Sequence, residues 1–266
     1  MKDWQIERYR ENGFVQIPNF INEGELPVWQ NAFDSAISDR LENNREFMTN
    51  QMNPKHSFAR TLIQCNRLAD TSPDFRELLF SEKVGEAASS LMDVETVRVW
   101  HDQALIKPPY GNATTIHLDA PYWSFYSEQS VSLWIALDRC TYRNGCMFYL
   151  PSTHKTAEVT RNVRGSINMG ELVDMYPEWS GIEPMLVPCE PGDAIWHHGM
   201  VAHGAGANIG TTHRRAMTCI FMPDGVTYNG KRNSSVPEDY AKTLKVGDIL
   251  NNDEHFPVIW TRNGKE

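Results

Sequence analysis

His117 and Asp119 stand two positions apart in the run IHLDAPYW, residues 116–123. In an extended strand, residues i and i+2 point to the same face, about 7 Å apart along the backbone. An imidazole and a carboxylate so placed would aim at one spot, close enough to share an ion. Such an ion needs at least a third protein ligand, and His197, His198, His203 and His213 cluster downstream in WHHGMVAHGAGANIGTTHRR. Two histidines and one carboxylate form the face used by non-haem Fe(II) oxygenases, because three protein ligands leave room for a bidentate cosubstrate and dioxygen. An isolated H-x-D segment is more often a core histidine hydrogen-bonded to an aspartate. Spacing alone therefore does not decide between the two.

Arg214 adds a second kind of chemistry. It follows His203 by eleven positions, after small residues that let the chain turn, and it opens an apolar strand. A guanidinium aimed into a barrel must meet a protein acid or an anionic ligand, and a dicarboxylate cosubstrate would supply one. The alternative is that Arg214 or Arg215 is simply solvated.

These residues must be positioned by the elements around them. The N-terminal third reads as helical: Asp3 can cap a helix over WQIERYREN that stops at Gly13. Asn22 and Glu25 stand in capping-box spacing ahead of a stripe at Leu26, Trp29, Phe33, Ile37 and Leu41. A third helix is expected over SPDFRELLFSEKVGEAASSLM, with Pro73 near its start. From Val94 onward the pattern changes to short strands, VRVWHDQALIK, SVSLWIALD, CMFYLP, MLVPCEPGDAIWHH and RRAMTCIFMP, separated by Gly, Pro and Asn. Helices followed by many short strands predict a mainly β domain with a helical flank. A single domain over 1–266 is expected, with residues 1–93 as the flank, 94–225 as the β core and 226–266 as a C-terminal extension. The polar, strand-poor segment from about Thr156 to Pro184 reads as an insertion or lid.

Composition narrows the class. With 41% hydrophobic residues and eight Trp in 266 residues, the chain can bury a large core. A net charge of −9 without a Lys/Arg cluster argues against nucleic-acid or anionic-membrane partners. Five cysteines without a C-x-x-C pair suggest neither a disulfide framework nor a cysteine zinc site. The charged start and the lack of any long apolar run lead to the expectation of a cytoplasmic protein.

Several motifs, taken in order, resemble the phytanoyl-CoA dioxygenase family of Fe(II)/2-oxoglutarate oxygenases: DQALIKPP, HLD, SLWIALDRCTYRNGCMFYLPSTHK, EPGDAIWHHGMVAHGAGAN and RRAMT. The opening IERYRENGFVQIPNFI is similar to the N-terminal element of that family. The resemblance implies a double-stranded β-helix, a cupin-like jelly roll. It implies Fe(II) on His117, Asp119 and His203, and 2-oxoglutarate held at its far carboxylate by Arg214, with Gln103 and Trp134 lining the cosubstrate pocket. His197 and His198 then fall on the preceding strand, one facing the site and one facing away. Two departures stand out. Ala205 replaces the serine that often follows the distal histidine by two residues, so one hydrogen bond to the cosubstrate is missing unless replaced. Ser152 stands in a glycine position of the PSTH segment, which affects a turn. The intact Asp119 sets the chain apart from halogenating relatives, which carry a small residue there.

The reaction implied consumes O2 and 2-oxoglutarate, releases succinate and CO2, and hydroxylates an unactivated C–H bond. For the substrate, Tyr122, Trp123 and Phe125, with Tyr126, could wall an apolar pocket, although alternate members of such a run are expected to be core. Met169, Met175, Tyr176 and Trp179 of the lid could close over it. An acidic chain offers no cationic cluster for the phosphates of a CoA thioester, so a small or mid-sized free organic metabolite is expected. The competing classes are a Zn²⁺ cupin-type metalloenzyme, which would not need the Arg214 clamp, and a non-catalytic ligand-binding barrel. The sequence leaves the oligomeric state open.

Overall fold

The computed structural model describes residues 1–43, 60–163, 168–233 and 235–262. In chain order the elements are α1 (Asp3–Asn12), β1 (Phe14–Ile17), α2 (Leu26–Glu42), β2 (Ile63–Asn66), α3 (Pro73–Leu79), α4 (Glu82–Met92), β3 (Thr96–Lys107) and β4 (Thr114–His117). They continue with β5 (Val131–Ala136), β6 (Met147–Tyr149), α5 (Glu171–Met175), β7 (Met185–Val187), β8 (Ala194–His198), β9 (His203–Ala205), β10 (Arg214–Pro223), α6 (Glu238–Ala241) and β11 (Val258–Thr261).

The helical elements follow local chemistry with two differences from expectation. Asp3 is the first helical residue rather than the cap, and the Gln5 side chain accepts from the Lys2 N–H instead. The Asn22/Glu25 pair does close reciprocally: Glu25 N donates to Asn22 Oδ1 and Asn22 N donates to Glu25 Oε2, both at 3.0 Å. The expected third helix is two helices. Ser72 caps α3 through Phe75 N, and the chain breaks at Ser81, whose extended backbone (φ −67°, ψ 154°) restarts it as α4.

Two antiparallel sheets form an open jelly roll. The larger runs β1-β8-β5-β10-β3-β11, with β2 also paired to β3, and the smaller runs β4-β9-β6-β7. The four-residue strands β1, β2 and β11 were not legible in the sequence; they tie the N-terminal flank and the C-terminal extension into the large sheet. The strand β5 is buried at every position because both faces are covered. Val131, Leu133 and Ile135 face the helices together with Trp29, Phe33, Phe75 and Leu91, whereas Trp134 and Ala136 face the smaller sheet, meeting Met147, Tyr149 and Ala205. The alternation along β5 thus separates a scaffold core from an inner chamber.

A bulge between Ile220 and Phe221, opposite Trp100, resets the alternation along β3. Beyond it, Ala104 and Ile106 pack on the helices, and the period of two sends His101, Gln103, Leu105 and Lys107 to the chamber side. A third core cluster lies under the insertion. There Tyr176 and Trp179 are fully buried and stacked at 3.8 Å, and Trp179 Nε1 donates to Thr156 Oγ1 at 2.9 Å. The segment expected as a lid is therefore packed down on its aromatic residues, with Met169 exposed; residues 164–167 of that segment lie outside the described residues.

Candidate metal centre

His117 is the last residue of β4, and the chain then leaves the strand. Asp119 has a helical backbone (φ −81°, ψ −48°) and opens a short 3-10 turn over Ala120–Tyr122. The simple picture of both residues on one strand face is thus corrected, and convergence is achieved by a turn. That turn is fixed from behind, where Asp119 N and Ala120 N both donate to Gly199 O at 2.9 Å. A Cβ on Gly199 would lie 2.3 Å from the Trp123 ring, so only glycine allows this approach. From the insertion, the Asn162 amide accepts from Leu118 N and donates to Leu118 O, bracing the residue between the pair.

His203 opens β9 and is registered across from His117 on β4 and Tyr149 on β6. His117, Asp119 and His203 each offer one ligand atom, all within 4.8 Å of one another. Asp119 Oδ1 lies 3.5 Å from His117 Nε2 and 3.8 Å from His203 Nε2. Backbone partners fix both tautomers. Nδ1 of His117 contacts Thr115 O at 2.8 Å and Nδ1 of His203 contacts Val201 O at 3.0 Å. A carbonyl can only accept, so each Nδ1 carries a proton and, in the neutral imidazole, each Nε2 turns a lone pair inward.

Electrostatics favour the same donor set. Burial, reinforced by His117, pushes His203 down to about 3, leaving it neutral near pH 7. Burial opposes charge on Asp119, but His203, His117 and His197 outweigh it and hold the carboxyl well below its usual range. For His117, burial is outweighed by Asp119, so its pKa is raised, and a divalent cation would displace that shared proton. A carboxylate with two inward imidazole lone pairs suits a borderline divalent metal.

The remaining histidines sort by orientation. His197 Nε2 lies 3.2 Å from Asp119 Oδ2, the oxygen other than the one nearest His117 and His203, and its Nδ1 lies 3.2 Å from the Tyr149 hydroxyl. His198, next along β8, faces outward to Glu128 O at 2.7 Å. His213 is exposed.

Deeper in the chamber, Arg214 begins β10 directly across the ladder from Lys107 at the end of β3. Arg214 is 2% exposed and Lys107 fully buried, and neither forms an ion pair among the described residues, although Lys107 Nζ donates to the carbonyls of Thr61 and Asn112. Nε and Nη1 of Arg214 have no hydrogen-bond partner among them, while its guanidinium stands 5.4 Å above the Trp134 ring. Burial, then the charge of Arg214, push Lys107 down to about 7. Two buried cations with no carboxylate form a cradle for an anion. Ala205 brings no hydroxyl, but Thr114, its partner across the β4/β9 ladder, does, and Thr114 Oγ1 accepts from Lys107 Nζ at 3.4 Å.

Of the other expected site residues, Gln103 is half-buried and bonded to His101 Nε2 at 2.8 Å. Trp123 and Phe125 belong to the core, stacked on each other at 5.3 Å with Trp100 against Phe125. Tyr122 is 41% exposed, its hydroxyl donating to Val163 O. Sequence reasoning missed Lys107, Thr114, Ser132 and Tyr149, and of the pair His197 and His198 it did not say which one faces the site. The alternation Gln103, Leu105, Lys107 along β3 was the one readable signal, since it sets Lys107 on the same face as Gln103.

The family profile of phytanoyl-CoA dioxygenase (PhyH) matches residues 9–216. Methylphosphonate hydroxylase of Gimesia maris is 26% identical over 243 residues, covering 90% of this chain and 85% of that protein. The human peroxisomal phytanoyl-CoA dioxygenase is 25% identical over 257 residues, covering 87% and 71%. Among solved structures, the non-heme alpha ketoglutarate dependent carbocyclase SnoK from nogalamycin biosynthesis superposes with a TM-score of 0.78 at 23% identity, covering 97% of this chain and 96% of that one. EctD from S. alaskensis with 2-oxoglutarate and 5-hydroxyectoine gives 0.69 at 17% identity, covering 84% and 76%.

Proposed function

The chain belongs to the phytanoyl-CoA dioxygenase family of Fe(II)- and 2-oxoglutarate-dependent oxygenases, and from that premise we propose that His117, Asp119 and His203 hold the iron of a hydroxylase acting on a small or mid-sized organic metabolite. The observation that carries this reading is the pairing of a three-ligand centre with a buried, anion-less pair of cations in the same chamber. Zinc hydrolysis or simple ligand storage would leave the Arg214 guanidinium, whose Nε and Nη1 have no partner among the described residues, without a counterion.

When bound, Fe(II) with 2-oxoglutarate and O2 supplies the oxidising chemistry, in which the cosubstrate is decarboxylated to succinate and one oxygen atom enters a substrate C–H bond. The residues of the chain bind and orient. Arg214 takes the distal carboxylate through its unpartnered Nε and Nη1, and Lys107 adds charge beside it. Trp134 forms the floor beneath the guanidinium, and Gln103 lines the chamber from β3. The packed insertion braces the ligand turn through Asn162. Methylphosphonate hydroxylase among the relatives supports a free metabolite as substrate, with Tyr122 on the turn that carries Asp119 and Asn162 bonded beside it.

Anaerobic titration of Fe(II)-loaded protein with 2-oxoglutarate tests this assignment. A saturable visible charge-transfer band in wild type that is lost in His117→Ala is the expected result. Iron binding without a band would overturn the oxygenase reading for this centre.

A further inference from the structure

Three imidazoles surround Asp119, and their hydrogen-bond partners divide them into two kinds. His117 and His203 each use Nδ1–H on a backbone carbonyl and turn a lone pair inward. His197 is the reverse. Its Nδ1 faces the hydroxyl of Tyr149, a phenol that burial holds neutral and able to donate, and its Nε2 faces Asp119 Oδ2, which can only accept. The consistent assignment is Tyr149 O–H donating to Nδ1 and Nε2–H donating to the carboxylate. Ser132 Oγ donates to the same Oδ2 from 3.4 Å.

We infer that His197 is a positioning residue for the metal centre: with Tyr149 and Ser132 it holds Asp119 Oδ2 away, so that Oδ1 alone faces the two ligand imidazoles. This rests on the assignment of His117, Asp119 and His203 as ligands.

The architecture explains why such a clamp is needed. Asp119 sits on a turn beyond the end of β4, and a carboxylate has a broad, two-fold torsional preference about its last bond. Unclamped, either oxygen or both could turn inward. The clamp comes from the opposite sheet: His197 on β8 is registered against Ser132 on β5, so both side chains leave the large sheet at one level and reach the same oxygen. Tyr149 completes it from β6 of the small sheet, locked by stacking on Phe14 at 4.2 Å. All three are nearly fully buried, which shields their side of these bonds from water. Partners of this kind set the orientation and basicity of metal ligands, and their loss weakens metal affinity on the order of 10- to 100-fold.

The test uses amide variants as atom-for-atom probes. A glutamine amide nitrogen reaches the place of imidazole Nε2, whereas an asparagine amide falls near Nδ1. Fe(II) affinity is measured under argon by competition with a chromophoric chelator, and Co(II) absorption reports the geometry of the centre. His197→Phe is expected to bind Fe(II) 10- to 100-fold more weakly with an altered Co(II) spectrum. His197→Gln should recover most of the loss and His197→Asn should not. Affinity of His197→Phe within twofold of wild type, or equal affinities for the Gln and Asn variants, would overturn the inference. If His197→Phe fails to fold, judged by near-UV circular dichroism, the Gln/Asn comparison carries the test. Asp119→Ala runs alongside: undiminished metal binding there would sink the ligand assignment itself, whereas its loss with unchanged His197→Phe would sink only the role of His197.

Discussion

Replacing Arg214 by methionine should move two measurable equilibria in opposite directions. The side chain is 2% exposed and leaves Nε and Nη1 without partners, and a buried donor without a partner costs about 1–3 kcal/mol. Methionine keeps much of the aliphatic stem and removes both donors along with the repulsion of Lys107. Against this stands the cation–π contact with Trp134, about 0.5–2 kcal/mol. The ligand-free protein should gain about 2 kcal/mol, which for a chain of this size raises Tm by about 4–8 °C. Cosubstrate binding should move the other way. Losing one partner of a buried, hydrogen-bonded charge pair costs about 2–5 kcal/mol. Taking about 3 kcal/mol gives a roughly 100-fold weaker Kd for 2-oxoglutarate. Thermal melts of apoprotein and anaerobic 2-oxoglutarate titrations of Fe(II)-loaded protein read the two effects separately. A lower Tm combined with cosubstrate affinity within about threefold of wild type would refute the reasoning, because Arg214 would then be a structural cation already satisfied by the protein.

Further expectations concern neighbouring residues. His203→Ala should lose saturable Fe(II) binding in equilibrium dialysis, whereas His198→Ala, whose imidazole faces Glu128 O outside the chamber, should keep it. Lys107 has its pKa lowered to about 7 by burial and then by Arg214, and an anion in the cradle favours its charged form. Binding of 2-oxoglutarate should therefore take up a proton above pH 7 and weaken by up to tenfold per pH unit there, and Lys107→Met should flatten that dependence; an unchanged slope in the variant, measured by titration at several pH values, would remove Lys107 from the cradle. Gly199→Ala would press a methyl into the Trp123 ring 2.3 Å away and should cost about 1–3 kcal/mol in chemical denaturation, with weaker metal binding because the same glycine anchors the Asp119 turn.

The chemistry-bearing residues were more legible in the sequence than the structure that organises them. His117, Asp119, His203 and Arg214 carry unusual types in a fixed order, so resemblance could single them out, and the long strands β3, β5 and β10 announced themselves by composition. What escaped notice depends on tertiary pairing. The strands β1, β2 and β11 are four residues each and take their identity from partners far along the chain. Lys107 precedes two prolines and looks like a solvated lysine until the β3 alternation turns it inward. The aromatic run after Asp119 could not be divided into wall and core by sequence, and Trp123 and Phe125 went to core because a tight turn, rather than a strand, carries them. Tyr176 and Trp179 stacked on each other instead of remaining on a lid surface. The Tyr149–His197–Asp119 chain joins three elements and has no local signature at all.

Both proposed ligand imidazoles are oriented by the carbonyl two residues upstream, Thr115 O in β4 for His117 and Val201 O, just ahead of β9, for His203. Main-chain atoms are the same for every amino acid, so this arrangement survives any substitution at 115 or 201 that preserves the local backbone. On the proposed assignment, the parts of the polypeptide that fix the metal geometry and those that decide what fits beside it are thus largely separate. Directed evolution of the chamber walls can proceed through side chains without paying a toll in metal occupancy, provided that the β4 and β9 backbones, Gly199 and the clamp on Asp119 are left alone.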